Sequence, residues 1–173
     1  MLFPVFNCLP GPQVITFILQ FARMQTIIEN LEATLTDRLP QLLAIPEDVY
    51  SAKPNPAKWS KKEILGHLVD SAQANIRRFV VAQYESQPYI VYNQDKWVTA
   101  SGYQQWPVED IIRLWFLLNK QICEILKNMS PDAAQRICLT ESPHKLEWLA
   151  ADYIRHLQHH LHVILDLEPI NYP

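Results

Sequence analysis

Prolines mark the places where the helical patterns of this chain stop. The 173 residues include thirteen prolines and only three glycines, and the prolines cluster between segments whose apolar residues recur every three to four positions. Tight β-hairpin turns depend on glycine, whereas proline commonly follows or opens a helix. The sequence therefore predicts an all-α protein in which proline-marked connections, and not hairpins, join long helices.

Four segments carry the pattern of a long amphipathic helix. They begin at about Met24, Ser60, Pro107 and Glu147 and end near Leu39, Glu85, Ser130 and Leu167. The second start is the best defined, because Ser60 and Glu63 have the spacing of a capping box. Pro40 is expected to end or kink the first helix. Four helices of similar length predict a four-helix bundle.

The first 23 residues do not share these patterns. Their apolar run, Val14 to Leu19, is too short to cross a bilayer, and it has no basic residue before it and no small-residue cleavage site after it. We therefore expect residues 1–23 to form an N-terminal extension of unknown role. Residues 24–173 are expected to form one domain, which is long enough for a core of its own.

Charge and cysteine content exclude several classes of function. A net charge of -3 and a pI near 6.0 leave no basic surplus, so neither nucleic acid nor a membrane surface is an expected partner. The three cysteines lack the spacing of a disulfide framework or of a thiolate zinc site. A reducing, cytoplasmic setting is therefore expected.

Histidines are the residues with the clearest chemical signal. Four of the six lie within seven positions, from His156 to His162. On a helical wheel His156 and His160 flank the buried arc, while His159 and His162 fall on the solvated arc. His67, far upstream, lies at the edge of the buried arc of the second helix. Three imidazoles from two helices suit a catalytic divalent metal with an open coordination position, and histidines that merely bond a carbonyl or carboxylate are the alternative.

A polar strip continues along the second helix from His67. Ser71, Asn75 and Arg78 fall beside its apolar arc over three turns, whereas Asp70 falls closer to solvent. Because buried polar groups are costly without partners, the strip predicts a cavity along this helix.

A stretch of about twenty residues, from Gln87 to Trp106, separates the second and third helices. Structureless loops of that length are uncommon in a compact domain unless they bind a ligand or cover a site. The aromatic residues of the stretch, among them Tyr92 and Trp97, could equally cap the end of the bundle. The sequence leaves both interpretations open.

Three segments, taken in order, resemble the DinB-like superfamily. They are Glu63-Ile-Leu-Gly-His67-Leu-Val-Asp70-Ser71, Tyr92-Asn-Gln-Asp95-Lys-Trp97 and His156-Leu-Gln-His159-His160. The similarity covers about Met24 to Leu167. Within the superfamily it points to the branch of YfiT-type bacillithiol transferases and metal-dependent hydrolases.

The resemblance implies a four-helix bundle that holds a divalent metal, usually zinc or nickel, through one histidine on the second helix and two on the last. Matched to this sequence, the ligands are His67, His156 and His160. The resemblance also implies a homodimer that transfers a low-molecular-weight thiol, such as bacillithiol, mycothiol or glutathione, to a small electrophile.

The predicted function is therefore that of a metal-dependent thiol S-transferase acting through a metal-bound thiolate. The residues expected to contact the substrate are Ser71, Asn75, Arg78, Tyr92 and Trp97. No catalytic residue is predicted beyond the metal ligands.

Two other functions are compatible with the sequence. A hydrolase would use metal-bound water and would need a general base nearby. The last helix lacks the glutamate of an HExxH motif, although Asp70 or Asp95 could serve as the base. A metal-binding or dimerisation module without catalysis is the other alternative.

Overall fold

The chain folds into long helices joined by short helices, loops and one small hairpin. The computed structural model describes residues 12–172, with side chains from residue 19 onward. In chain order its elements are α1 (Pro12–Leu43), α2 (Glu47–Ser51), α3 (Lys61–Val81), α4 (Gln94–Ser101), a 3-10 turn (Tyr103–Gln105), α5 (Val108–Lys127), α6 (Pro131–Ala134), β1 (Ile137–Leu139), β2 (Pro143–Lys145) and α7 (Leu146–Ile164). The long helices α1, α3, α5 and α7 confirm the predicted four-helix bundle.

The four long helices follow the order α1, α5, α3, α7 around the bundle. Helix α3 packs against α5 and α7, and α1 packs against the same two helices. The first two long helices of the chain therefore lie diagonally opposite each other, whereas consecutive helices are neighbours in a simple up-down bundle. This order places α3 directly beside α7, and these are the two helices that carry the predicted histidine ligands.

Apolar side chains from all four long helices fill the centre of the bundle. Leu31 of α1, Leu65 of α3, Trp115 of α5 and Leu157 of α7 are each fully buried. Burial of a side chain of this size contributes about 1.5 to 3 kcal/mol to the free energy of unfolding. The core therefore holds α3 and α7 in a fixed relation to each other.

The capping box predicted at the start of α3 is confirmed. The Ser60 hydroxyl accepts the backbone N–H of Glu63 at 3.1 Å, and the Glu63 carboxylate accepts the backbone N–H of Ser60 at 2.8 Å. Lys62, in the same turn, is only 3% exposed and donates to Glu47 of α2 at 2.5 Å. These contacts fix the turn of α3 that precedes His67.

Helix α1 differs from its prediction at both ends. It begins at Pro12 and passes through Met24 without a break. Pro40 lies inside the helix, which continues to Leu43. Because Pro40 stands in the last turn, its missing N–H removes one backbone hydrogen bond and leaves the preceding turns intact.

The predicted boundary between an extension and a domain falls within α1. Leu19 and Phe21 are 57% and 62% exposed, and Met24 is buried. Residues 1–11 lie outside the described part of the chain. The assignment of residues 1–23 as an extension stays a prediction.

A β-hairpin that the sequence pattern did not predict connects α6 to α7. Cys138 pairs with His144 at its centre. Its first strand also holds the loop after α3, because Ile90 donates to the Leu139 carbonyl at 2.8 Å and Leu139 donates to the Pro88 carbonyl at 2.9 Å. The expectation that hairpins are missing was wrong, since strands of three residues are too short to show an alternating pattern.

The helices and the cysteines of the described residues bear on two of the sequence expectations. Among residues 12–172, no helix combines the length and apolar character needed to span a bilayer. Cys123 and Cys138 are buried free thiols, and Cys8 lies outside the described residues.

Candidate metal centre

Three histidines from α3 and α7 meet between the two helices. One ring nitrogen from each of His67, His156 and His160 lies within 4.8 Å of the others. The Nε2 atoms of His67 and His156 are 3.1 Å apart. The centroid of the His160 ring lies 4.9 Å from that of His67 and 4.6 Å from that of His156. The structure thus brings together the three histidines that the helical wheels selected.

The donor set fits a divalent metal. Nitrogens bonded to zinc at about 2.0 to 2.1 Å with tetrahedral angles lie about 3.3 Å apart, close to the 3.1 Å between His67 and His156. His67 is 1% exposed, and its Nδ1 has no hydrogen-bond partner among the described residues. A structural histidine at that depth is expected to bond a carbonyl or a carboxylate. The observation that favours a set of metal ligands over a set of core histidines is the convergence of three ring nitrogens within 4.8 Å, with the Nε2 atoms of His67 and His156 at the spacing that zinc requires.

Burial keeps the three imidazoles neutral. Burial, and then repulsion between neighbouring imidazoles, lowers the pKa of His67, His156 and His160 from 6.5 to about 3. Histidine binds a metal in its deprotonated form, so all three rings can act as ligands near neutral pH. Imidazole suits zinc, nickel, copper and iron, so this donor set favours a transition metal without choosing among them.

Side chains around the cluster orient the histidine rings. The Ser71 hydroxyl lies 3.5 Å from Nδ1 of His156, the ring nitrogen that faces away from His67. The ring of Trp59 covers His67, with centroids 5.3 Å apart. A hydrogen bond at the outer nitrogen of a ligating histidine fixes its tautomer and raises its basicity. Ser71 is placed to do this for His156.

A cavity of about 550 Å³ opens beside the histidines. This volume lies within the range of small-molecule sites. His156 and His160 form part of its wall. Four of the five predicted substrate contacts also line it, namely Ser71, Asn75, Arg78 and Tyr92. Trp97 does not line it but packs edge-on against Tyr92, with ring centroids 5.5 Å apart.

The loop between α3 and α5 has both of the roles that the sequence left open. Tyr92 is half-buried and lines the cavity. Tyr103 is buried and packs on α3 at Gly66, where an added Cβ would lie 2.1 Å from its ring. The loop therefore covers the candidate site with one aromatic residue and closes the bundle with another.

Asp70 is buried, contrary to its position on an ideal wheel. Its side chain is 1% exposed, Oδ1 accepts a hydrogen bond from the Tyr103 hydroxyl at 2.5 Å, and Oδ2 has no partner among the described residues. Burial raises the pKa of Asp70 from 3.8 to about 6, although the bond from Tyr103 lowers it in part. The wheel failed here because α4 and the 3-10 turn cover this face of α3.

The chain after α7 folds back along that helix. The Nδ1 atom of His159 lies 2.8 Å from the Ile170 carbonyl oxygen, and that of His162 lies 2.6 Å from the Glu168 carbonyl oxygen. Both histidines are half-buried. The interpretation of these two rings as solvated was therefore wrong, because a wheel does not include a segment that returns over its polar face.

Among the cavity-wall residues that sequence reasoning missed, Asp152 and Tyr172 contact each other beside His156. The Tyr172 ring lies 5.3 Å from that of His156, and its hydroxyl donates to Asp152 at 2.9 Å. Asp152 stands one helical turn before His156, and this spacing is a signal that could have identified it. Tyr172 follows the end of α7 and carries no periodic signal.

The bundle with its three-histidine cluster defines a class of protein. The chain belongs to the DinB superfamily, whose family model matches residues 30–164. The predicted family is therefore confirmed. No curated protein matches the sequence significantly.

Two solved structures share the fold. One is described as "YfiT from Bacillus subtilis is a probable metal-dependent hydrolase with an unusual four-helix bundle topology", with a TM-score of 0.72 and 17% identity over 95% of this chain and 90% of that chain. The other is a mycothiol-dependent maleylpyruvate isomerase, with a TM-score of 0.64 and 11% identity over 85% of this chain and 61% of that chain. At these identities the likeness concerns the fold alone.

Proposed function

We propose that this protein is a metal-dependent thiol S-transferase that joins a low-molecular-weight thiol to a small electrophile. The observation that carries the proposal is the cluster of His67, His156 and His160 in and beside a cavity of about 550 Å³ with polar walls. One structural neighbour is named as mycothiol-dependent and another as metal-dependent. Both names are in keeping with a metal and a thiol at this site.

The metal would be held by His67, His156 and His160 and would be a divalent ion, zinc or nickel in our proposal. When bound, such an ion lowers the pKa of a thiol or water and so supplies a nucleophile near neutral pH. Three protein nitrogens leave at least one coordination position open for that nucleophile. Bacillithiol, mycothiol and glutathione are the candidate thiols.

The chain's own residues position the reactants. Ser71 orients His156 through the outer ring nitrogen. Asn75 and Arg78 continue the polar strip of α3 along the cavity wall, and Tyr92 faces them from the loop. Trp97 packs edge-on against Tyr92 and does not line the cavity, so it would act on the substrate only by positioning Tyr92.

Hydrolysis is the less favoured reaction because, of the candidate general bases, Asp70 and Asp152 are engaged by other groups and Asp95 does not line the cavity. Asp70 is buried against Tyr103, and Asp95 is exposed on α4. Asp152 lines the cavity, but Arg155 and Tyr172 each donate a hydrogen bond to one of its oxygens, so both oxygens are already engaged. A thiol activated by a metal needs no such base.

A non-catalytic metal-binding or dimerisation module is the alternative from another class. It would require no open cavity next to the histidines, and the presence of one favours an enzyme. The expected homodimer and the cytoplasmic setting stay predictions.

The proposal is tested by thiol transfer to monochlorobimane with each of the three thiols. Wild-type protein is expected to catalyse the reaction with at least one of them, and His67→Gln is expected to abolish it while folding normally. His162→Gln is the matched control, because the His162 ring bonds the Glu168 carbonyl and does not belong to the three-histidine cluster. Turnover of an ester without added thiol would favour the hydrolase. No turnover of any substrate, with a lower Tm for His67→Gln, would favour the module.

A further inference from the structure

Arg78 is the one permanently charged cation lining the cavity among the residues that the structure describes. Its side chain is half-buried. None of the ion pairs formed by the described residues includes Arg78. A partly desolvated cation without a counter-ion is costly, and burial lowers the pKa of Arg78 accordingly.

The guanidinium of Arg78 is held in place by neutral acceptors. Its Nε donates to the Ile90 carbonyl at 3.2 Å, and Nη1 donates to Asn75 Oδ1 at 3.3 Å. Asn75 is itself fixed, because its Nδ2 donates to the Ser71 carbonyl at 2.9 Å. A guanidinium has five N–H donors, so three remain, which is enough to engage both oxygens of a carboxylate.

In the described part of the chain, neither of the two carboxylates that line the cavity forms an ion pair with Arg78. Asp152 accepts from Arg155 at 3.0 Å and from Tyr172 at 2.9 Å. Glu141 is exposed at the cavity wall, and it forms no ion pair with Arg78 among the described residues. Asp152 acts on Arg78 through space without contacting it. The remaining N–H donors of the fixed guanidinium therefore face the cavity without a contacting carboxylate, and a ligand can supply one.

We propose that Arg78 binds a carboxylate of the substrate, so that the site selects acidic small molecules over neutral ones. This rests on the proposed function and adds the charge of the substrate to it. Arg78 follows His67 by 11 residues on α3, or about 16 Å along the helix axis. The carboxylate is therefore several bonds away from the reacting atom, and either the thiol or the electrophile carries it.

Binding of unreactive ligands to the metal-loaded protein tests this directly by calorimetry. The thiol arm compares S-methylglutathione with its diamide, which has the same shape without the carboxylates. The electrophile arm compares N-(2-carboxyethyl)succinimide with its amide. Both pairs are measured on wild type, Arg78→Gln and Arg78→Lys, with the exposed neighbour Arg77→Gln as control.

Wild-type protein is expected to bind the acid of at least one pair ten-fold or more tightly than its amide, because a charge-assisted hydrogen bond contributes at least that much. Arg78→Gln should remove the preference without affecting the amide, Arg78→Lys should retain part of it, and Arg77→Gln should leave it unchanged. Preference in the first pair assigns the carboxylate to the thiol, and preference in the second assigns it to the electrophile.

Lack of an acid preference in both pairs, or a preference that persists in Arg78→Gln, would overturn the proposal. The comparison within wild type does not depend on how well any variant folds. Because the ligands do not react, the outcome is also separate from that of the thiol-transfer assay. Failure of the proposed function would appear only in the turnover experiment.

Discussion

The Nε2 atoms of His67 and His156 lie 3.1 Å apart, although 89 positions separate the two residues in the sequence. This approach depends on the order of the helices around the bundle, which makes α3 and α7 neighbours. His160, one turn after His156, completes the cluster from the same helix. The candidate site is thus a product of helix packing, and residues that set the packing should influence it.

Substitution of Gly66 by alanine is expected to lower the free energy of unfolding by about 1 to 3 kcal/mol, as overpacking does. An added Cβ would lie 2.1 Å from the ring of Tyr103, which belongs to the 3-10 turn of the loop between α3 and α5. Urea unfolding measures the loss, and Tyr103→Leu in the Gly66→Ala background should recover part of it.

Gly102→Ala is the matched control for this substitution. Gly102 has a φ of 62° but nothing within 4 Å of the added Cβ, so only backbone strain of about 1 to 2 kcal/mol is expected. Rescue of Gly102→Ala by Tyr103→Leu to the same extent would contradict the proposed packing of Tyr103 on Gly66.

Asp70 makes stability depend on pH in a predictable direction. Its pKa is raised from 3.8 to about 6 by burial, so the folded state holds the proton more tightly than the unfolded state. The protonated group stabilises the fold at acidic pH, and that contribution is lost as the pH rises from about 4 through 6. A pKa difference of about two corresponds to roughly 3 kcal/mol.

Comparison with Asp70→Asn isolates this contribution, because the histidines titrate in both proteins. Asparagine keeps an acceptor for the Tyr103 hydroxyl but has no charge to desolvate. Unfolding free energies at pH 4 and pH 7 should show the variant gaining stability relative to wild type as the pH rises. A constant difference between the two proteins would show that Asp70 has an ordinary pKa.

Ser71→Ala is expected to weaken metal binding by about 10- to 100-fold, the usual effect of losing a group that orients a ligating histidine. The basis is the 3.5 Å contact between the Ser71 hydroxyl and Nδ1 of His156. Ser142→Ala removes a similar contact, 2.9 Å from Nε2 of His144, at a histidine outside the cluster. Competition with a metal chelator measures both affinities, and equal affinities in the two variants would contradict the role given to Ser71.

The elements that were predicted correctly are those with a local signal. The capping box at Ser60 and Glu63 fixed the start of α3, because both partners lie within one turn. Helical periodicity selected His156 and His160 from the four histidines of α7, since a ligand pair one turn apart needs only helix geometry. The helical wheel of α3 placed His67 at the edge of the buried arc of that helix by the same reasoning.

The features that were missed depend on contacts made across the chain. Asp70 is buried because Tyr103, from a loop with short helices, covers it. His159 is held by the carbonyl of Ile170, which belongs to a segment that follows the last helix. The first strand of the hairpin is held by backbone hydrogen bonds to the loop after α3. Pro40 is the exception, because it is tolerated for the local reason that it stands in the last turn of α1.

The metal content of the untagged protein, purified without a nickel column, tests the account most directly. Elemental analysis is expected to find close to one zinc or nickel ion per chain in wild type and in His162→Gln. Loss of that ion is expected in His67→Gln, His156→Gln and His160→Gln. Wild-type protein that carries no metal and also fails to bind added zinc or nickel would contradict the three-histidine centre.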